Sequence, residues 1–400
     1  MNKEFDFSVG AKRLAKVGAS PIRVILEKAA GMRSQGLPVI PFSAGEPDFN
    51  TPTDIKTATI HAIEENLTHY TSNRGYPKLR VELHNYIKEF TDVDYDPDTE
   101  ILITSGGAEG LNNSILAFVD AGDDVLVFTP SFVNYKSLTN MCGANFIEVP
   151  LDSKNDFKVD LDLLEKAITP QTKMLVLNNP NNPSGTVFTK SELQAICDLA
   201  IKYNFLILSD EMYSRLVYDG EEFHSVASFP GMKERTIIVS GFSKTFAMTG
   251  WRLGYITADA KLADRILRVH QYSTTCSATF IQAGLAEAMN SVRTRAEVED
   301  MLVAFAMRRK LIIEGLKAIP GLSYAMPYGA FYILVDVSGL NMTGNDFAAQ
   351  LLDKKYVATV PGTGFSPACT NYIRISYATS ENNITEGLRR IKEFVEEIKA

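Results

Sequence analysis

The stretch MLVLNNPNNPSGTVFTKSELQAICDLAIKYNFLILSDEMY, Met174–Tyr213, reads as strand, loop, helix and strand. Met174–Leu177 and Phe205–Leu208 are short unbroken apolar runs, the pattern of strands buried on both faces. Between them, NNPNNPSG is dense in turn formers and Thr189–Tyr203 is amphipathic at helical spacing. A strand, a crossover helix and a second strand make a parallel pair. Working outward, Ile101–Thr104, Val125–Phe128, Thr236–Val239 and Leu253–Thr257 are further buried strands, most of them separated by amphipathic segments. The expected fold class is α/β, a mainly parallel sheet with helices on both faces. Ligands of such sheets bind beyond the carboxyl ends of the strands. The candidates are therefore SGGAEG, NNPNNPSG, DEMY and SGFSK, each of which follows a strand.

Upstream, Ser20 as cap and Pro21 in the first turn open a helix to Gln35, with Ile22, Ile25, Leu26 and Ala29 on one face. AGEPDFNTP, Ala44–Pro52, is an ordered loop, and Thr53 is expected to cap the next helix. After about Asn290 comes a charged helix, Ala296–Ile319. It is followed by Phe331–Val335, Asp346–Lys354, Val357–Val360, Tyr372–Ser376 and a final amphipathic helix, together a smaller α+β lobe. The expected division is an N-terminal arm and helix over 1–45 that joins the small domain, a large domain over 46–290, and a C-terminal small domain over 291–400. No repeat or Gly/Ser linker separates them, so the lobes should be intimately joined.

At 400 residues with 45% hydrophobic, the chain exceeds what one core usually holds. Its net charge of −8, with basic residues scattered, argues against a nucleic-acid surface. Cys142, Cys197, Cys276 and Cys369 lie far apart with no metal-ligand spacing, so no metal is expected and reduced thiols in the cytoplasm are. No apolar run reaches about 18 residues and the N-terminus lacks an apolar core, so neither a membrane span nor a signal peptide is expected.

Asp210 ends the strand in LILSDEMY, with Tyr213 three residues on. A buried carboxylate needs a cation, which a protonated ring nitrogen would supply; equally, Asp210 is placed to cap a helix. In VSGFSKTFAMTGWRLGY, Lys244 has the apolar neighbours Phe242, Phe246, Ala247 and Met248. Apolar surroundings lower an amine's pKa and make it a better nucleophile toward an aldehyde, against the alternative of a solvated lysine. Ser243 and Arg252 have the donors to hold a phosphate, or Arg252 serves an ion pair. Gly106 and Gly107 separate a strand from a helix, so the amides of Gly107 and Ala108 form either an anion site or merely a tight turn. Asn182 sits in a turn-rich loop from which its amide could reach a phenolate oxygen.

Taken together, AGEPDF, HYTSNRGYPKLR, TSGGAEGL, PNNPSGT, SDEMY, SKTFAMTGWRLGY, GAFYI, VPGTGF and YIRISYA resemble, in order and spacing, the class I/II aminotransferases of the aspartate aminotransferase superfamily. The resemblance runs from Ala11 to the C-terminal helix. It implies the fold type I architecture of pyridoxal 5'-phosphate (PLP) enzymes, with a seven-stranded sheet in the large domain. It implies Lys244 as the Schiff-base lysine and proton shuttle, Asp210 on the pyridine nitrogen, and Tyr213 and Asn182 on the 3'-oxygen. Ser243, Arg252, Gly107 and Ala108 would hold the phosphate and Phe132 would stack on the ring. Tyr70 looks like the tyrosine that reaches the phosphate of the neighbouring subunit, which implies a homodimer with the site at its interface. Arg374, the Gly45 amide and Asn182 would bind the substrate α-carboxylate.

The implied reaction carries the amino group of an L-amino acid to 2-oxoglutarate by a ping-pong mechanism. The chain departs from many members in having Gly241 three residues before the lysine, where a serine would add a phosphate hydroxyl. No lysine stands at or near Ala108, where some aspartate-specific relatives carry one. SPIRVILEKAAGM, PSFVNY, GFSKTFAMTGWRLGY and TTCSATFIQ look closer to the broad or aromatic enzymes, so specificity stays open between aromatic or neutral amino acids and aspartate. Rival readings are a C–S lyase or an aminocyclopropane carboxylate synthase on the same fold, and a non-catalytic PLP-binding regulator. The last would need a DNA-binding domain ahead of the first helix, where about 20 residues stand.

Overall fold

A computed structural model describes residues 10–18 and 21–399. The larger sheet has seven strands: β1 (Ile101–Thr104), β2 (Asp124–Thr129), β3 (Asn145–Pro150), β4 (Thr172–Asn178), β5 (Leu206–Asp210), β6 (Thr236–Gly241) and β7 (Gly254–Ala258). Their order is β1-β7-β6-β5-β4-β2-β3. Neighbours pair in parallel except at β7, which runs antiparallel between β1 and β6. Strand β3 escapes the search for apolar runs because it is an edge strand. Its NFIEVP mixes polar and apolar residues, and only Val149 is fully buried.

One face of this sheet is covered by the helices Thr53–Glu64, Pro77–Thr91 and Thr279–Ala288, which bury Ile55, Leu83 and Leu285 against Ile103 and Ile238. The other face takes Gly107–Phe118 and Ala260–Ser273, with Ile115 and Ile266 against Leu102 and Val239. Burial on both faces is why the central strands read as continuous apolar runs. The crossover helix Lys190–Tyr203 starts where Thr189 and Glu192 form a reciprocal capping box.

A second, antiparallel sheet comprises β8 (Ser323–Tyr324), β9 (Tyr332–Asp336), β10 (Val360–Pro361) and β11 (Tyr372–Ser376), in the order β10-β11-β9-β8. The helices Val292–Lys317, Gly344–Lys355 and Glu381–Lys399 build its core around Phe305, Ile312, Phe347 and Phe394. The helix Val292–Lys317 belongs to both cores, since Val298 packs with the larger sheet and Phe305 with the smaller.

Several local expectations need correction. Thr53 does not cap its helix: Pro52 holds that position, and the Thr53 N–H donates to Glu297 Oε2 at 2.7 Å. The charged helix begins at Val292 rather than Ala296 because Ser291 caps it, its Oγ accepting from the Thr294 N–H at 3.1 Å. Val357–Val360 is not one strand: Val357 makes an isolated bridge to Ile40, and β10 begins at Val360. The expected cap Ser20 lies outside the described residues.

Candidate active site

Strand ends of both sheets open onto one cavity of about 250 Å³. From the larger sheet and its connections come Gly107, Ala108, Phe132, Asn182, Asp210, Tyr213, Ser243, Lys244 and Arg252. Gly45 and Arg374 close it from the other side. Tyr70 is the one candidate residue not brought there: its side chain is 86% exposed on the outside of the chain.

Beyond β6 the chain turns into a four-residue helix, Phe242–Thr245, which buries Phe242 and Thr245 and presents Lys244 to the cavity. Lys244 Nζ donates to the Gly45 carbonyl at 2.5 Å. Burial pushes this amine down to about 8, with Glu46 opposing the fall and Arg374 and Arg252 adding to it. Asp210 closes β5 and is buried; its Oδ2 accepts from Tyr135 Oη–H at 2.7 Å and its Oδ1 from the Met212 N–H at 3.2 Å. Desolvation raises its carboxyl to about 6 against those two bonds. Among the described residues it has no salt-bridge partner.

The phosphate candidates converge from two elements. Gly106 caps the helix Gly107–Phe118 at φ 82°, and a Cβ there would land 2.6 Å from Arg252 Nη2. The guanidinium therefore lies against a helix N-terminus whose amides are free to donate. A Cβ on Gly254 would stand 2.7 Å from Gly107 N, so β7 passes this turn backbone to backbone. On β11, Arg374 is 2% exposed and donates through Nη1 to Asn182 Oδ1 and through Nη2 to the Ser43 carbonyl, both at 3.1 Å. Among the described residues its Nε has no partner, and the guanidinium lies 4.3 Å from the Tyr332 ring centroid.

The family described as aminotransferase class I and II matches residues 38–391. The chain is 38% identical to an aspartate aminotransferase of Pyrococcus abyssi over 387 residues, 97% of this chain and 98% of that one. It is 38% identical, at the same coverage, to aromatic-amino-acid aminotransferase 2 of Thermococcus litoralis. This chain is a class I and II aminotransferase. The structure of Thermus thermophilus aspartate aminotransferase with maleate superposes on it with a TM-score of 0.91 at 37% identity, over 96% of this chain and 99% of that one.

In this aminotransferase three site residues had no assigned role in the sequence reading. Tyr135 holds Asp210, and Tyr332 Oη lies 2.9 Å from Tyr213 Oη. Asn178 accepts from the Asn182 N–H at 2.8 Å and donates to the Asp210 carbonyl at 3.0 Å, tying two strand ends together. The two tyrosines lie within quoted motifs, but nothing in their spacing marks them out from core aromatics. Gly241, where many relatives have serine, has a physical reason: a Cβ there would stand 3.0 Å from Gly254 Cα and 3.2 Å from the Leu253 carbonyl. The hydroxyl is traded for a tight approach of β6 to β7.

Asp210 also makes a pH-dependent contribution to stability. Its folded pKa near 6 exceeds the unfolded value of about 3.9, so its charge costs nothing below about pH 4 and the cost grows through pH 6. Ligand-free Asp210→Asn should therefore match the wild type in urea unfolding near pH 4 and exceed it by about 3 kcal/mol at pH 8. Equal stability at both pH values would show that Asp210 is not desolvated.

Proposed function

We propose that this aminotransferase transfers the amino group of an L-amino acid to 2-oxoglutarate in two half-reactions, using PLP held in the cavity around Lys244. The cavity fits that group. Buried Asp210 lacks a cation, the Asn182 amide nitrogen is uncommitted among the described residues, and Arg252 backs an open helix N-terminus. Bound PLP supplies an aldehyde for the amine and a protonated ring that withdraws electrons from the carbon losing its proton.

The protein's own groups supply the rest. Asp210, oriented by Tyr135, keeps the ring nitrogen protonated, and a cation there returns its carboxyl to the charged form. Tyr213 and Asn182 donate toward the 3'-oxygen, and Phe132 covers one ring face. Ser243, Arg252 and the amides of Gly107 and Ala108 hold the phosphate. Lys244, with its amine lowered to about 8, alternates between accepting the proton from the substrate Cα and returning it. Arg374 grips the α-carboxylate in bidentate fashion beside the Gly45 amide and Asn182. Tyr70 of each chain reaches the phosphate of its neighbour in a homodimer, which accounts for its exposure in the single chain.

We also read residues 46–290 as the cofactor-binding domain and 1–45 with 291–400 as the small domain that closes the substrate side. The observation that carries the functional reading is one cavity lined by Lys244, whose amine is pushed down to about 8, and by a carboxylate and a guanidinium, Asp210 and Arg374, that have no salt-bridge partner among the described residues. Ile22 and Leu26 line the same cavity and favour a neutral or aromatic side chain over aspartate. Stopped-flow absorbance of the holoenzyme against a panel of amino acids tests this. The cofactor's aldehyde-form band should bleach fastest with aromatic or large neutral amino acids and recover on adding 2-oxoglutarate. Steady release of pyruvate and ammonia from cystathionine without 2-oxoglutarate would mean a lyase instead.

A further inference from the structure

A second cavity, of about 340 Å³, lies under the helix Pro77–Thr91. It opens on the sheet face of Tyr95 and Tyr255, whereas Tyr135 meets Asp210 from the opposite face. Glu211, the residue after Asp210, faces this second cavity. It is 3% exposed, and its Oε1 accepts from Ser209 Oγ at 3.0 Å and Ser225 Oγ at 2.8 Å. Among the described residues it has no cationic partner, and burial pushes its carboxyl up to about 8. Across the cavity wall Arg215 lies flat on Phe90, 3.7 Å from the ring centroid, with Nη1 3.5 Å from Tyr86 Oη. Arg215 makes no salt bridge among the described residues either. Tyr95, also lining the cavity, has a buried hydroxyl beside Thr257.

Buried Glu211, whose side-chain partners among the described residues are hydroxyls, and half-buried Arg215, whose neighbours are aromatic, face one cavity with aromatic walls. A pocket at the lower end of the ~300–1,000 Å³ range suits a small molecule. We propose that this cavity is a second binding site, one that takes a free α-amino acid with an aromatic or large apolar side chain. The ammonium meets Glu211, the carboxylate meets Arg215 in the planar geometry guanidinium favours, and the side chain lies among Tyr86, Tyr95 and Tyr255. The site shares no lining residue with the cavity around Lys244, so it stands whichever substrate that cavity takes.

Crystals of the holoenzyme soaked with 4-bromo-L-phenylalanine should show an anomalous bromine peak in this cavity, and Glu211→Gln crystals should lose it. No peak there, or a peak only beside Lys244 and Arg374, would overturn the proposal. In solution, equilibrium dialysis of the same probe should lose one bound molecule per chain in Val217→Phe, which narrows the cavity and leaves Glu211, Ser209 and Ser225 unsubstituted. At this site 2-phenylethylamine and 3-phenylpropionate should each bind at least about tenfold more weakly than the probe, because each leaves one charge unmatched. Unchanged stoichiometry in Val217→Phe, or equal affinity for either truncated analogue, would refute the assignment.

Discussion

Lys244→Ala is expected to abolish turnover, lowering kcat by on the order of 10⁴-fold or more, while the chain remains folded. Among the described residues the side chain's one hydrogen bond runs to the Gly45 carbonyl, so little architecture depends on it. Its amine does what no neighbour can: a guanidinium does not shuttle protons, and Asp210 is committed to Tyr135 and the Met212 amide. Stability separates loss of chemistry from misfolding. The folded pKa near 8 lies below the usual ~10.4 of a lysine, so the buried charge costs the ligand-free fold stability at neutral pH and below. Removing it should leave the ligand-free Tm unchanged or higher. The measurements are kcat with the chosen amino acid, cofactor content by absorbance, and Tm. Residual turnover above about one part in a hundred would place the proton transfer on another group.

The positions of Lys244, Asp210, Asn182 and Gly107 were legible because each follows an apolar run, and in an open parallel sheet the ends of such runs are where ligands sit. The larger sheet was legible for the same reason, since double burial writes itself as an unbroken stretch of Ile, Leu and Val. Where burial is partial the writing fades, as at the edge strand β3. Contacts between residues far apart in sequence leave no local mark at all. Tyr135 is 75 residues from the Asp210 it bonds, and Tyr332 is 119 residues from Tyr213. Glu297, which satisfies the first turn of the helix at Thr53, comes from 244 residues away and displaces the local cap that the sequence suggested. Glu211 was hidden by its own neighbour: in DEMY the eye goes to Asp210, yet successive strand residues face opposite sides of a sheet. The second side carries its own cavity.

Arg374→Met should separate function from stability in opposite directions. The free chain buries this guanidinium between Tyr332 and Phe365, with hydrogen bonds to Asn182 and Ser43 but, among the described residues, no carboxylate and no partner for Nε. Such a charge is an uncompensated cost in the free chain, one that a substrate carboxylate would relieve under the proposed role, and burial lowers even its pKa. An apolar side chain of similar length removes that cost, so the ligand-free variant should unfold at the same or a higher Tm. The substrate then meets a pocket that cannot answer its negative charge. Losing one partner of a buried, bidentate pair costs about 3–5 kcal/mol, or roughly 10² to 10⁴ in kcat/KM for an α-amino acid. An amine of the same skeleton without the carboxylate should lose far less, because it never used the guanidinium. If both compounds fell equally, Arg374 would be acting through Asn182 and Tyr332 as a positioning residue rather than gripping the substrate itself.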